Sequence, residues 1–93
     1  MRVARRYVIT GRVQGVGFRF FTETVASREG IHGWVRNLTG GPVEAVEATA
    51  EGEAEAIERF ERSIRQGPRG ARVDRVEVEH TVPDGHAVGF TIK

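Results

Sequence analysis

The hydrophobic period of this sequence switches between two values in a fixed order, and that order admits few folds. Val3 to Arg12 centres on Tyr7, Val8, Ile9 and Thr10, β-branched or aromatic types that suit a strand. Phe18 to Glu29 changes to helical spacing, with Phe18, Phe21, Val25 and Ala26 on one face and Gly30 placed as a C-terminal cap. Ile31 to Leu38 and Pro42 to Ala50 read as two more strands, joined by a hairpin at Thr39-Gly40-Gly41. Glu51 to Arg65 returns to the helical period, with Ala54, Ile57, Phe60 and Ile64 as its apolar stripe, and Gly67, Pro68 and Gly70 end it. Arg72 to Thr81 alternates Val76 and Val78 against Glu77 and Glu79. Pro83-Asp84-Gly85 turns the chain, and Ala87 to Lys93 alternates Val88, Phe90 and Ile92 as a short last strand.

The order is β-α-β-β-α-β with a short strand appended. It specifies an α+β fold, a ferredoxin-like split β-α-β sandwich in which an antiparallel sheet carries two helices on one face. Right-handed crossovers put both helices on the same side. The other face is expected to stay partly open, as the alternating strands suggest. The 93 residues make one domain, residues 1–93, around a single core.

Composition removes several classes of function. There is no cysteine, hence no disulfide framework, thiolate nucleophile or cysteine-based metal site. His32, His80 and His86 lack metal-ligand spacing, and the acids form no clustered pair suited to Mg²⁺. With 14 basic and 13 acidic residues the net charge is +1, so bulk attraction to nucleic acid or membrane is not expected. The basic start, Met1 to Tyr7, is not followed by a signal-peptide core, and no run approaches a membrane span. The expectation is a soluble, cytoplasmic, free-standing protein.

The informative segment is Gly11-Arg12-Val13-Gln14-Gly15-Val16-Gly17-Phe18-Arg19, which leads from the first strand into the first helix. Its glycines permit positive φ and close approach of backbone to a ligand. It ends at a helix N-terminus, where unpaired amides and the helix dipole favour an anion. Successive loop amides can form a nest. Arg19 lies in the first helical turn, where a cation is locally unfavourable unless an anion binds, and its guanidinium fork fits two phosphate oxygens. The loop is not a Walker A motif, since no Gly-Lys-Thr/Ser follows, and not a dinucleotide loop, since Phe20 stands where a third glycine belongs.

At these residues the sequence resembles the acylphosphatase family. A second family motif appears as Gly33-Trp34-Val35-Arg36-Asn37, followed by a turn and Val43-Glu44-Ala45, and the resemblance covers the whole chain. The resemblance implies hydrolysis of the carboxyl–phosphate anhydride of acyl phosphates to carboxylate and inorganic phosphate. It places the family's phosphate-binding arginine at Arg19 and its water-orienting asparagine at Asn37. Its phosphate cradle maps onto the backbone amides of Gln14, Gly15, Val16, Gly17, Phe18 and Arg19. The implied partner is a small-molecule acyl phosphate, with no nucleic acid, no membrane, no metal and no cofactor, and a monomer is expected. One departure is Gly40-Gly41 where the family often has Asp-Gly, which bears on the turn and leaves the chemistry untouched.

Two other readings compete. The same fold serves RNA-binding modules, but those need aromatic residues on both central strands, and Val43 to Ala50 has none. A phosphate- or carbamoyl-phosphate-binding module without independent turnover is the alternative function. The remaining residues receive plain readings. Trp34 and Tyr7 pack, and the histidines are ordinary polar residues. The glutamates from Glu44 to Glu61 form a solvated face with Glu55–Arg59 and Glu58–Arg62 pairs. Arg5, Arg6, Arg12 and Arg36 widen a positive patch around Arg19.

Overall fold

A computed structural model describes all residues from Met1 to Lys93. The elements are β1 (Arg2–Arg12), α1 (Phe18–Glu29), β2 (His32–Leu38), β3 (Ala45–Glu53), α2 (Ala54–Gln66), β4 (Arg72–Thr81) and β5 (Phe90–Ile92). They form one five-stranded sheet in the order β4-β1-β3-β2-β5. Four strands pair antiparallel, but β5 runs parallel to β2, with Gly33, Trp34 and Val35 opposite Phe90, Thr91 and Ile92. The expected antiparallel sheet is present in β1 to β4, and the appended β5 makes the whole sheet mixed. The reason is the long crossing from the β4 edge to the β2 edge, which brings the chain back in the direction of β2 rather than as a hairpin.

The core lies between the sheet and the two helices. One row runs across all five strands beneath the helices: Val78, Tyr7, Ala48, Val35 and Ile92. The small Ala48 and Ala50 of the central strand leave room above them for Phe18, Phe60 and Ile57, all buried. Tyr7 packs against Phe60 at 5.8 Å between ring centroids. Helix α2 buries Ala56, Ile57, Phe60 and Ile64; Ala54, expected in the stripe, sits at the helix start and is only partly covered. The strand preceding α2 extends to Glu53, three residues beyond its expected end, because Glu51 to Glu53 continue the ladder with Arg2 to Ala4. Its start shifts as well: residues 39–44 form a longer connection than a tight hairpin, and the strand begins at Ala45.

The other sheet face carries ionic cover. Glu47 and Glu51 are buried, against the expectation of a solvated acidic face. Glu47 accepts from Arg6 Nε at 2.5 Å and Arg36 Nε at 2.7 Å, one arginine from the strand on either side. Glu51 accepts from Arg2 Nε at 2.6 Å and from the amides of Asp84 and Gly85 at 3.0 and 2.9 Å. Residues 82–89 thus form a strap across the open face, ending where the Gly89 amide donates to His32 Nδ1 at 2.8 Å. This strap takes the place of the first half of the expected last strand, and it leaves Val88 exposed. The expected helical pairs Glu55–Arg59 and Glu58–Arg62 do not form. Arg59 instead reaches across to Glu29 of α1 at 2.8 Å, and the helical pair that does form is Glu61–Arg65.

Candidate active site

Sheet register decides where Asn37 stands. Ile9 of β1 faces Val46 of β3, and Val46 faces Asn37 of β2. Asn37 therefore lies on the helix side of the sheet, two positions along from the buried Val35. That is the end of the sheet where β1 leaves for the loop. A slip of one residue would turn Asn37 to the strap side and abolish the arrangement.

The loop reaches the same corner from the other direction. A register shift between Thr10 and Gly11 bends the end of β1. Val13 is then buried in the core as an anchor, and the chain enters α1 through Gly17. Gly15 and Gly17 both take left-handed φ values, 72° and 77°, which an L side chain adopts only at a cost. Left-handed residues on either side of Val16, which itself has no positive φ, are the kind of alternation from which anion nests are built. No side chain caps α1, and its first turn holds no acidic residue. None of the amides from Gly15 to Phe20 donates to a protein acceptor. The positive end of the helix is left open toward the cleft.

Gly15, Gly17, Phe18, Arg19 and Asn37 line one cleft of about 230 Å³, together with Val13 and Phe20. The structure thus brings together the two side chains singled out in the sequence and, Arg19 included, four of the six cradle positions. Gln14 and Val16 stand outside this lining. Gln14 has other duties: its side-chain amide donates to the carbonyls of Leu38 and Ala45 at 2.8 and 3.0 Å, tying the loop to β2 and β3. Its backbone amide is occupied by the Glu44 carboxylate at 3.0 Å, which also accepts from the Val13 amide at 3.2 Å. The free amides run from Gly15 to Phe20, one residue later than the cradle read from the sequence.

Arg19 is half-exposed, and its Nη1 donates to the Lys93 carbonyl at 3.1 Å. That one contact aims the guanidinium and leaves its other N–H groups unspent. The Asn37 side-chain amide is half-buried at the cleft wall and forms no hydrogen bond to the protein. The cleft therefore combines a ring of free amides, one cation and one uncommitted side-chain amide, a set suited to holding a tetrahedral oxyanion beside a water molecule. No three His, Asp or Glu side chains converge anywhere in the chain.

The expected positive patch is smaller than its arginines suggest. Arg6 and Arg36 are held by Glu47 on the far face of the sheet. Trp34 is more than a packing residue, since Arg36 and Lys93 place their cations 5.3 and 4.4 Å from its ring. A larger hollow of about 430 Å³ lies under the strap, lined by residues such as Trp34, Glu51 and Val88. It contains no loop residue, so chemistry rather than size selects the site. Sequence reading missed Glu44 as the staple of the loop, because a carboxylate 30 residues from its partners leaves no spacing signal.

Known proteins resemble this chain over most of its length. A family model described as acylphosphatase matches residues 5–92. The acylphosphatase of Koribacter versatilis is 45% identical, over 96% of this chain and 78% of its own length. The acylphosphatase of Thermococcus kodakarensis is 50% identical, over 90% of this chain and 89% of its own. Among solved structures, acylphosphatase from Bacillus subtilis superimposes with a TM-score of 0.90 at 32% identity, covering 98% of both chains. Full-length HypF, solved in a phosphate- and nucleotide-bound form, aligns to all of this chain over 12% of its own, with a TM-score of 0.88 and 32% identity.

Proposed function

Because the chain belongs to the acylphosphatase family and hydrolyses acyl phosphates, we propose that Arg19, Asn37 and the free amides of Gly15 to Phe20 carry out this reaction without a metal ion. The observation that carries the reading is the convergence of those groups on one cleft. The non-turnover alternative is not favoured, since relatives aligned over most of both chains are acylphosphatases.

The phosphoryl group sits on the amides, with two of its oxygens facing the Arg19 guanidinium. Asn37 holds a water in line with the bond from phosphorus to the acyl oxygen. As that bond lengthens, negative charge spreads over the equatorial oxygens, where preorganised amides and Arg19 stabilise it. Water oxygen bonds to phosphorus, and the bonding pair of the broken P–O bond leaves with the carboxylate. A carboxylic acid of pKa about 4 leaves as its anion, so no general acid is required. The water proton passes to a phosphate oxygen or to solvent, and inorganic phosphate is the second product. In this reading the protein acts as a cytoplasmic monomer. No helix is long and apolar enough to cross a membrane.

Acetyl phosphate hydrolysis in the presence of excess EDTA tests the metal-free part. The expected result is an unchanged rate, with inorganic phosphate inhibiting competitively. A strict requirement for an added divalent ion would overturn it.

A further inference from the structure

The cleft accounts for the phosphate end of the substrate and leaves the acyl end unassigned. Three apolar residues line it, and the side chains of two are spent on the core: Val13 and Phe18 are each 1% exposed. The third, Phe20, is 67% exposed. It stands two residues from Phe18, about 200° around the helix at about 100° per residue, and so points away from the buried stripe. The fold does not use it: Phe21, its neighbour, supplies the packing contact with Phe18 at 6.1 Å between ring centroids. A large aromatic ring is therefore held in water at the first turn of α1, next to Arg19 in sequence, on a residue that lines the cleft.

In-line displacement puts the leaving carboxylate on the side of phosphorus opposite the attacking water. The water belongs to Asn37, so the acyl group departs on the side of phosphorus away from that residue, and Phe20 is the one exposed apolar residue of the lining able to meet it. We propose that Phe20 is the acyl-side contact, and that it selects acyl phosphates with a bulky apolar acyl group, aromatic or branched, over small or anionic ones. The inference rests on the assignment of the cleft made above. Such an acyl group covers the exposed ring and is covered by it, while an acetyl group is too short to reach across its face. A second negative charge on the acyl group finds no cation in the lining besides Arg19, which the phosphoryl oxygens already occupy.

The test is the ratio of kcat/KM for benzoyl phosphate to that for acetyl phosphate, in the wild type, Phe20→Ala and Phe20→Trp, with Arg19→Ala alongside. An aromatic contact at a partly exposed site is worth about tenfold. The ratio is expected to fall about tenfold in Phe20→Ala, chiefly through KM for benzoyl phosphate, and to be kept in Phe20→Trp. A ratio within about twofold of wild type in Phe20→Ala overturns the inference. So does an equal loss on both substrates, which marks a role in loop structure. If Arg19→Ala retains activity on both substrates, the cleft assignment itself fails; if Arg19→Ala is inactive and the Phe20 ratio is unmoved, only the acyl-side contact fails.

Discussion

Arg19→Ala separates function from stability, because the native arginine is poorly placed for the fold. It puts a cation in the first turn of α1, which holds no acidic residue. Removing it relieves about 0.3–1 kcal/mol of unfavourable interaction with the helix dipole. The variant also loses the 3.1 Å bond to the Lys93 carbonyl, worth about 0.5–1.5 kcal/mol on average and less where exposed. The two terms oppose each other, so stability should change by less than about 1 kcal/mol. For a domain of this size that is a Tm shift of less than about 4–8 °C. The effect on catalysis does not cancel. Two charge-assisted hydrogen bonds to phosphoryl oxygens at about 1.5–3 kcal/mol each amount to about 3–6 kcal/mol, or roughly 10²–10⁴-fold in kcat/KM. Acetyl phosphate kinetics, competitive inhibition by inorganic phosphate and a thermal melt measure all three quantities on one preparation. Activity within about fivefold of wild type would refute the reasoning. So would a Tm drop of more than about 10 °C, since the arginine would then be a structural residue.

Glu47→Gln should do the reverse, lowering stability by about 1–3 kcal/mol in urea unfolding while kcat is retained; the figure is reduced from that of a fully buried pair because Arg6 and Arg36 are half-exposed. Burial acts to raise the Glu47 pKa, but hydrogen bonds from Arg36 and Arg6 outweigh it and hold the carboxyl below its ordinary 4.5. Arg2 holds Glu51 low as well. Depressed carboxylates contribute stability that is full above their unfolded pKa and lost as pH falls through the folded one. The urea midpoint should therefore be flat with respect to these groups from pH 7 to 5 and drop below about 4.5, with a shallower drop in Glu47→Gln. Gly33→Ala should prevent soluble expression, because a Cβ there would lie 2.1 Å from the Thr49 carbonyl oxygen; a folded variant with wild-type Tm would contradict the close strand approach.

The sequence carried the architecture through periodicity. Helix α1 and strand β4 begin and end where their patterns change, at Phe18 and Glu29 and at Arg72 and Thr81. The parallel β5 was not legible, because three residues carry too little pattern and the strap that sets its direction is held by side chains of distant strands. Glu47 and Glu51 were misread for a related reason. Alternation puts them on the face away from the helices, and only the register that brings Arg6, Arg36 and Arg2 beside them reveals that this face is covered. The loop and Asn37 were legible as motifs, yet their meeting in space depends on the Ile9–Val46–Asn37 register. The free amides begin one residue later than the cradle read from the sequence, since nothing local to Gln14 shows that Glu44 takes its amide.

The central claim is that the Asn37 side chain positions the attacking water in a cleft that needs no metal. Acyl phosphate hydrolysis by Asn37→Ala, measured with EDTA beside phosphate affinity, tests it most directly. The account predicts phosphate binding close to wild type with turnover lower by on the order of 10²-fold or more, the loss seen when one preorganised hydrogen-bonding group is removed from an active site. Full turnover by Asn37→Ala would contradict it, and the water would have to be held by another group.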